Sequence, residues 1–202
     1  MNEKFFDLKK EKQDRMINAA LKIFAINGYK HASTDDIVAQ AGISKGLLFH
    51  YFGSKLGLYE FLYDYSVRFM KLELTRGVSE NTTDYFEIYK QVEMSKMQVL
   101  KNYPNMQQFL DRSKSETVEE AVLAIKDQRG VLSEVYTDLF SRADKTLFTE
   151  NVALEKLHTM LEYTIRGLMN ERFQDPSFNP ETLYDEIADY LMMVKKLAYK
   201  SE

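Results

Sequence analysis

The sequence predicts an all-α protein. Its 202 residues include only 8 glycines and 3 prolines, too few for the many tight turns of a sandwich or a barrel. Apolar residues recur at intervals of three and four over most of the chain, which is the period of a helix with one buried face. Hydrophobic residues make up 45% of the total, enough to enclose a sizeable core. We therefore expect long helices with few interruptions.

The first predicted helix covers residues 9–27. Ile17, Leu21 and Phe24 fall on one helical face within it, and this spacing indicates a stripe that packs against a core. Gly28 follows as a natural stop, because glycine accepts the left-handed backbone conformation at a helix C-terminus.

Two short helices are predicted next. A hydroxyl residue at position 33 or 34 caps a helix that ends before Gly42. Ser44 then caps a third helix, which turns Leu48 and Phe52 inward. Two short helices joined by a glycine-containing turn form the helix-turn-helix unit.

The rest of the chain is predicted to be helical. Gly130 allows a bend in one long segment, and the Asp-Pro-Ser sequence at residues 175–177 forms the last loop. The predicted helices cover residues 55–76, 83–102, 105–112, 117–142, 150–173 and 180–199. We expect the three N-terminal helices to form one domain, residues 1–54, and the others a second domain, residues 55–202.

Charge is distributed unevenly along the chain. The net charge is −4, but the first 60 residues carry 9 Lys and Arg against 7 Asp and Glu, and the other 142 carry 18 against 24. A slightly basic head on an acidic body is consistent with one end of the molecule facing phosphate.

Composition also limits the chemistry that we expect. The absence of cysteine excludes disulfides, thiolate zinc sites and a cysteine nucleophile. We expect a cytoplasmic protein, since neither a signal segment nor an apolar run of about 18 residues is visible. Among the histidines only His158 belongs to a metal-like pattern, Glu155-x-x-His158, which is half of a di-iron site without its second copy. We interpret it as a packing or interface residue and predict neither an enzyme nor a cofactor.

The most informative segment is residues 33–55, which read STDDIVAQAGISKGLLFHYFGSK. The AGISKG turn, then FHYF and GSK, fall in the order and spacing of the TetR family of transcriptional regulators, and FAINGY at 24–29 fits the end of that family's first helix. The close resemblance covers residues 13–60, under a third of the chain. It implies a three-helix, homeodomain-like DNA-binding domain followed by a helical domain that dimerises and binds a ligand.

The resemblance also implies which residues contact DNA. A helix N-terminus with free backbone N–H groups and hydroxyl side chains suits phosphate, lysines neutralise phosphates, and outward side chains reach base edges. Three residues have simpler alternatives: Ser44 as a cap only, Tyr51 as a packed aromatic, and Phe49 as a partly buried one. The implied contacts are Thr34, Ser44, Lys45, Gly46, Leu47, Phe49, His50, Tyr51 and Lys55.

Two positions depart from the family's pattern. Leu47 stands where the family often has a small or polar residue, which predicts an unusual operator preference. Gly57 replaces an acidic residue that favours a helix, and glycine inside a helix costs about 1 kcal/mol relative to alanine. We expect Gly57 to loosen the start of the helix over residues 55–76.

The last two helices carry long apolar stripes. In the family such helices pair with the equivalent helices of a second subunit in a four-helix dimer interface. The alternative is that the stripes pack within their own subunit. A dimer suits the reading of two half-sites about 34–36 Å apart. The predicted interface residues are Leu157, Leu161, Ile165, Gly167, Leu168, Ile187, Tyr190, Leu191 and Val194.

The middle helices are rich in aromatic residues and methionine. By resemblance they surround a pocket for an apolar or amphipathic small molecule, and ordinary core is the alternative. Glu93 is unusual because it shares an apolar face, where it either pairs with Arg112 or meets a cationic ligand. The predicted pocket residues are Phe86, Tyr89, Glu93, Met97, Phe109 and Arg112.

Together these features predict a homodimeric repressor that binds a palindromic, double-stranded operator. It releases the operator when a small molecule binds the second domain, residues 55–202. The helix over residues 55–76 is expected to transmit the change. Two other functions stay open at this point: a nucleoid-associated protein that needs no effector, and a helical metal-binding enzyme.

Overall fold

The computed structural model describes residues 3–173 and 178–200, and α-helices dominate both ranges. The predicted all-α fold is confirmed, since the only β-type pairing in these ranges is one isolated bridge between Phe148 and Tyr199. Single 3₁₀ turns occur at Glu3–Phe5, Lys126–Gln128 and Lys145–Leu147. The α-helices are α1 (Lys10–His31), α2 (Thr34–Ala41), α3 (Lys45–Phe52), α4 (Lys55–Gly77), α5 (Tyr85–Asn102), α6 (Met106–Lys114), α7 (Glu119–Ala124), α8 (Val131–Ser141), α9 (Leu154–Arg172) and α10 (Pro180–Ala198).

The first helix differs from the prediction at its C-terminal end. The backbone of Gly28 has φ 67° and ψ 176°, a conformation that residues with a Cβ rarely adopt. The chain kinks there and makes one more helical turn to His31. Glycine therefore bends this helix instead of ending it.

The predicted single helix over residues 117–142 is wrong. The structure divides this segment into α7, a 3₁₀ turn and α8. Arg129 reaches back and donates from Nη2 to the carbonyl oxygen of Lys114 at 2.7 Å, and Gly130 follows it. This long-range bond and the low helix propensity of glycine favour the break. The predicted loop at residues 175–177 lies outside the described residues.

The chain folds into two compact units. One comprises residues 1–72 and 99–135, and the other comprises residues 73–98 and 136–202. In the first unit α1 packs mainly on α2 and α6. In the second unit α9 packs on α10, and Arg172 forms a two-point ion pair with Glu186 at 2.8 and 3.0 Å. Residues 1–54 thus share a unit with 55–72 and 99–135. Their separation into a domain of their own stays a prediction.

A helix that crosses a lipid bilayer must be both long and apolar. Within the described ranges, no helix is both long enough and apolar enough to cross a membrane.

Candidate nucleic-acid interface

The second and third helices form the predicted helix-turn-helix, and their ends are set by local hydrogen bonds. The side chain of Ser33, not that of Thr34, caps α2 by accepting from the backbone N–H groups of Asp35 and Asp36 at 3.2 and 3.3 Å. Ser44 Oγ caps α3 by accepting from Leu47 N at 3.2 Å. A hydroxyl that accepts a capping bond still has its own proton to donate. The cap therefore leaves Ser44 able to donate to a phosphate.

The two N-termini differ in charge. The first turn of α2 contains Asp35 and Asp36, whose carboxylates repel phosphate. The first turn of α3 contains no acidic residue and begins with Lys45. Lys45 Nζ lies 2.8 Å from Asp35 Oδ1, and both side chains are exposed. Of these two N-termini, that of α3 is electrostatically suited to bind phosphate.

The residues expected to face DNA divide by exposure. Lys45, Gly46 and His50 are exposed, together with Ser44. A Cβ built at Gly46 meets no atom within 4 Å, which leaves this side of α3 open for a close approach. The side chains of Thr34, Leu47 and Phe49 are half-buried.

Tyr51 is positioned differently from the expected surface contact. It is only 8% exposed, and its ring packs edge-to-face on Phe5 with the centroids 5.7 Å apart. Phe5 is completely buried and also contacts Phe52, with centroids 5.1 Å apart. The sequence reasoning missed Phe5, although an aromatic pair inside a highly charged N-terminal segment was a signal for burial. The N-terminal 3₁₀ turn thus packs against α3 through Phe5.

Lys55 is also engaged within the chain. Its Nζ donates to the carbonyl oxygen of Lys30 at 3.3 Å and lies 4.8 Å from the centroid of the Tyr29 ring. Burial lowers the pKa of Lys55, and the carboxylates of Glu120 and Glu116 act in the opposite direction. A phosphate contact by Lys55 would have to replace these internal contacts.

This arrangement matches a known family. The family model described as bacterial regulatory proteins, tetR family, matches residues 16–62, which contain residues 16–31 of α1, all of α2 and α3, and the start of α4. Solved structures with the same fold extend over nearly the whole chain. A TetR family regulator from Chloroflexus aurantiacus is 20% identical with a TM-score of 0.68, and 99% of each chain is covered. Residues 16–62 thus match the DNA-binding segment of the tetR family, and the chain shares the fold of that family's solved structures.

Other comparisons agree with that assignment. The ketosteroid transcriptional regulator KstR2 of Mycobacterium tuberculosis is 17% identical with a TM-score of 0.70, covering 96% of this chain and 97% of that one. The transcriptional activator FasR of Mycolicibacterium smegmatis is 41% identical over 49 residues, 24% of this chain and 22% of FasR. YuxN of Bacillus subtilis is 37% identical over 78 residues, 36% of this chain and 26% of YuxN. The chain thus matches about a quarter of the length of these two curated relatives.

The resemblance predicts dimerisation through the last two helices, but several residues of the predicted stripes are internal. Leu161, Ile165, Ile187 and Leu191 are 0–4% exposed, and Val194 is also buried. These side chains pack within their own subunit, because the stripes of α9 and α10 face the core. Leu157 and Leu168 are half-buried, and Gly167 and Tyr190 are exposed.

The same helices carry a second apolar set, of which the sequence analysis predicted only Tyr190 as an interface residue. Six of the twelve large hydrophobic side chains that are exposed in the described ranges lie on α9 and α10. They are Met160, Tyr163, Tyr190, Met192, Met193 and Leu197.

The six predicted pocket residues are divided between the two compact units. Phe86, Tyr89, Glu93 and Met97 are buried in the second unit. In the first unit Phe109 packs on Tyr59, with centroids 5.5 Å apart, and Arg112 lies beside Gly28. Of the two alternatives for Glu93, the pair with Arg112 is wrong, because Glu93 Oε1 accepts from Lys96 Nζ at 2.7 Å. Lys96 lies one turn along α5, and its aliphatic stem lets it accompany the carboxylate into the interior.

Proposed function

We propose that this chain is a regulator of the tetR family, a homodimeric repressor that binds a palindromic operator and releases it when a small molecule binds the C-terminal helices. In this proposal residues 1–54 bind DNA, and residues 55–202 dimerise and bind the ligand. The observation that carries the DNA-binding part is the N-terminus of α3. Ser44 and Lys45 lie there, Gly46 leaves the surface open, and the first turn has no acid.

The second copy is proposed to dock on the outer faces of α9 and α10. The exposed apolar side chains of these helices support this, since a solvated apolar set on two adjacent helices favours association. A shallow groove of about 570 Å³ follows α9 along Lys156, Thr159, Met160 and Tyr163. A twofold axis also matches the symmetry of a palindromic operator.

The response to a ligand requires that the ligand bind one arrangement of the recognition helices better than the other. Both α4 and α5 contribute residues to the two compact units, which supports α4 as one transmitter. Within the first unit, Tyr29 also ties the end of α1 to the segment before and within α7. Its N–H donates to Glu116 Oε2 at 3.0 Å and its hydroxyl donates to Glu120 Oε1 at 2.6 Å. A movement of α7 would therefore be transmitted through these two hydrogen bonds to α1, the helix that packs on α2.

An alternative within DNA binding is a nucleoid-associated protein of the same fold that responds to no effector. This alternative predicts weak sequence preference and an affinity that no small molecule changes. The other alternative is a helical metal-binding enzyme; within the described ranges no three His, Asp or Glu side chains form a group that could hold a metal ion.

The deciding experiment is selection of DNA from a random pool at low and at moderate salt, followed by transcription from a promoter that carries the selected site. Recovery of one palindrome bound by a dimer, with an affinity that falls steeply with salt, supports a specific operator. Added protein should lower transcription. Recovery of no common sequence favours the nucleoid-associated alternative, and increased transcription contradicts the repressor role.

A further inference from the structure

The second unit contains a carboxylate oxygen that no protein group satisfies. Glu93 is completely buried in α5. Its Oε1 accepts from Lys96 at 2.7 Å, but its Oε2 is buried and has no hydrogen-bond partner among the described residues. Burying a carboxylate oxygen without a donor is costly, and native structures usually supply one. Oε2 thus keeps an unused acceptor position within the described part of the chain.

A cluster of aromatic side chains from three helices lies in the same unit as the Glu93–Lys96 pair. Tyr89 of α5, Phe140 of α8 and His158 of α9 contact one another, with ring centroids 4.7–5.7 Å apart. Lys96 Nζ lies 5.3 Å from the centroid of Tyr136 on α8. Apolar walls around a few fixed polar atoms are the composition of small-molecule sites in proteins.

Electrostatics restricts which ligand suits this cluster. Burial lowers the pKa of Lys96, but Glu93 and the nearby tyrosines outweigh this and raise it, so Lys96 stays charged. Burial lowers the pKa of His158, and Lys96 acts in the same direction, against Glu162. At neutral pH the imidazole is therefore uncharged, and Glu93 and Lys96 cancel. A cationic ligand would meet the Lys96 ammonium, and an anionic ligand would meet the Glu93 carboxylate.

We propose that the effector of this chain is an uncharged molecule with an O–H or N–H donor on an aromatic or aliphatic body, and that Glu93 Oε2 accepts its hydrogen bond. This inference rests on the ligand response proposed above and names the chemistry of that ligand. It replaces the cationic ligand that the isolated carboxylate suggested, because Lys96 already supplies the positive charge.

The test uses four probes that share a phenyl ring and differ in the polar group attached to it: benzyl alcohol, benzylammonium, benzoate and benzyl methyl ether. Each is added to the full chain without DNA, and the melting temperature and saturation-transfer NMR signals are recorded. We expect benzyl alcohol to raise the melting temperature more than the other three. A larger rise with benzylammonium, benzoate or the ether overturns the proposal. A response to none of the four at their solubility limits also overturns it and leaves Oε2 to an ordered water.

Variants then test whether the response depends on Glu93. The double substitution Glu93→Met with Lys96→Met removes both charges at once, since removing one partner alone would leave the other buried and unpaired. The control is Glu87→Met with Lys90→Met, a pair with the same spacing in the same helix but with an exposed Glu87 and an N···O distance of 3.9 Å. We expect the response to benzyl alcohol to disappear in the first double variant and to persist in the second. Persistence in both overturns the proposal.

These measurements do not depend on operator binding. A chain that selects no operator but binds benzyl alcohol through Glu93 contradicts the repressor role alone. A chain that releases its operator with a charged effector, and ignores benzyl alcohol, contradicts the ligand chemistry alone.

Discussion

The hydroxyl group of Tyr29 donates a 2.6 Å hydrogen bond to Oε1 of Glu120, 91 residues further along the chain. Burial raises the pKa of Tyr29, and the bond to Glu120 raises it further, so the phenol keeps its proton. The same residue is held by its backbone N–H, which donates to Glu116. Tyr29 follows the kink at Gly28 directly, so these bonds fix the direction in which the chain enters the helix-turn-helix.

We expect Tyr29→Phe to lower the free energy of unfolding by about 1 kcal/mol, because the variant loses one partly exposed hydrogen bond and keeps the ring. Urea unfolding measures this change. Glu120→Gln is the matched control, since the amide oxygen still accepts the bond, and it should destabilise less. Equal stability of wild type and Tyr29→Phe would show that the bond contributes nothing measurable.

A charge prediction concerns Lys45 and Asp35. Lys45→Ala should weaken operator binding and reduce the slope of log affinity against log salt by about 1, because one phosphate contact is lost. Asp35→Asn should strengthen binding, since it removes the carboxylate that pairs with Lys45 at 2.8 Å. Fluorescence anisotropy at several salt concentrations measures both. Lys22→Ala, at an exposed position in α1, serves as the control. An unchanged slope in Lys45→Ala would exclude the phosphate contact.

For Tyr51, two substitutions separate packing from DNA contact. Tyr51→Ala removes a ring that packs on Phe5 and should destabilise the chain by about 3–5 kcal/mol. Loss of DNA binding in that variant would thus be uninformative. Tyr51→Phe keeps the ring, and we expect weaker operator binding with little change in melting temperature. Unaltered binding by Tyr51→Phe would mean that Tyr51 acts only through packing.

At Gly57 the sequence and the structure predict opposite signs. Helix propensity predicts that Gly57→Ala gains about 1 kcal/mol. In the structure a Cβ at this position lies 2.2 Å from the carbonyl oxygen of Phe52, so the backbone must shift. We expect a loss of about 1–3 kcal/mol in denaturant unfolding. The comparison is Gly46→Ala, whose Cβ meets no atom within 4 Å and which should not destabilise. A gain in Gly57→Ala would favour the sequence argument.

His158 predicts a pH dependence of stability. Its pKa is lowered in the folded chain, mainly by burial, so the unfolded chain binds more protons below about pH 6.5. Stability should therefore fall as the pH drops through 6.5 toward the lower folded-state pKa. The groups facing the ring are the Tyr85 hydroxyl at 2.9 Å from Nδ1, Glu162 at 3.9 Å from Nε2, and Lys96.

Melting temperatures between about pH 7.5 and 5.5, a range that spans the ordinary histidine pKa, measure this effect. His158→Gln should flatten the pH dependence in that range. His31→Gln, at an exposed histidine, is the control and should leave the wild-type slope. The same slope in wild type and His158→Gln would place the pH dependence elsewhere.

The local structure of the DNA-reading segment followed from the sequence. The helix α2 is capped by a hydroxyl residue and ends before Gly42, as predicted, and Ser44 caps α3 as expected. Such features depend on hydrogen bonds between residues two to four positions apart, so the side chains that make them are adjacent in the sequence. The helical period and the scarcity of glycine and proline likewise determined the all-α class.

The tertiary structure decided which face and which partner each residue has. Sequence spacing placed Ile187 and Leu191 on one stripe but did not say whether a second subunit or the chain's own core covers it. Likewise, the sequence predicts Tyr51 at the surface, but Phe5, 46 residues earlier in the chain, packs against it. The partner of Glu93 is Lys96 and not Arg112. The physical reason is that burial and ion pairing depend on groups brought together only when the helices pack. Local propensity carries no information about those neighbours.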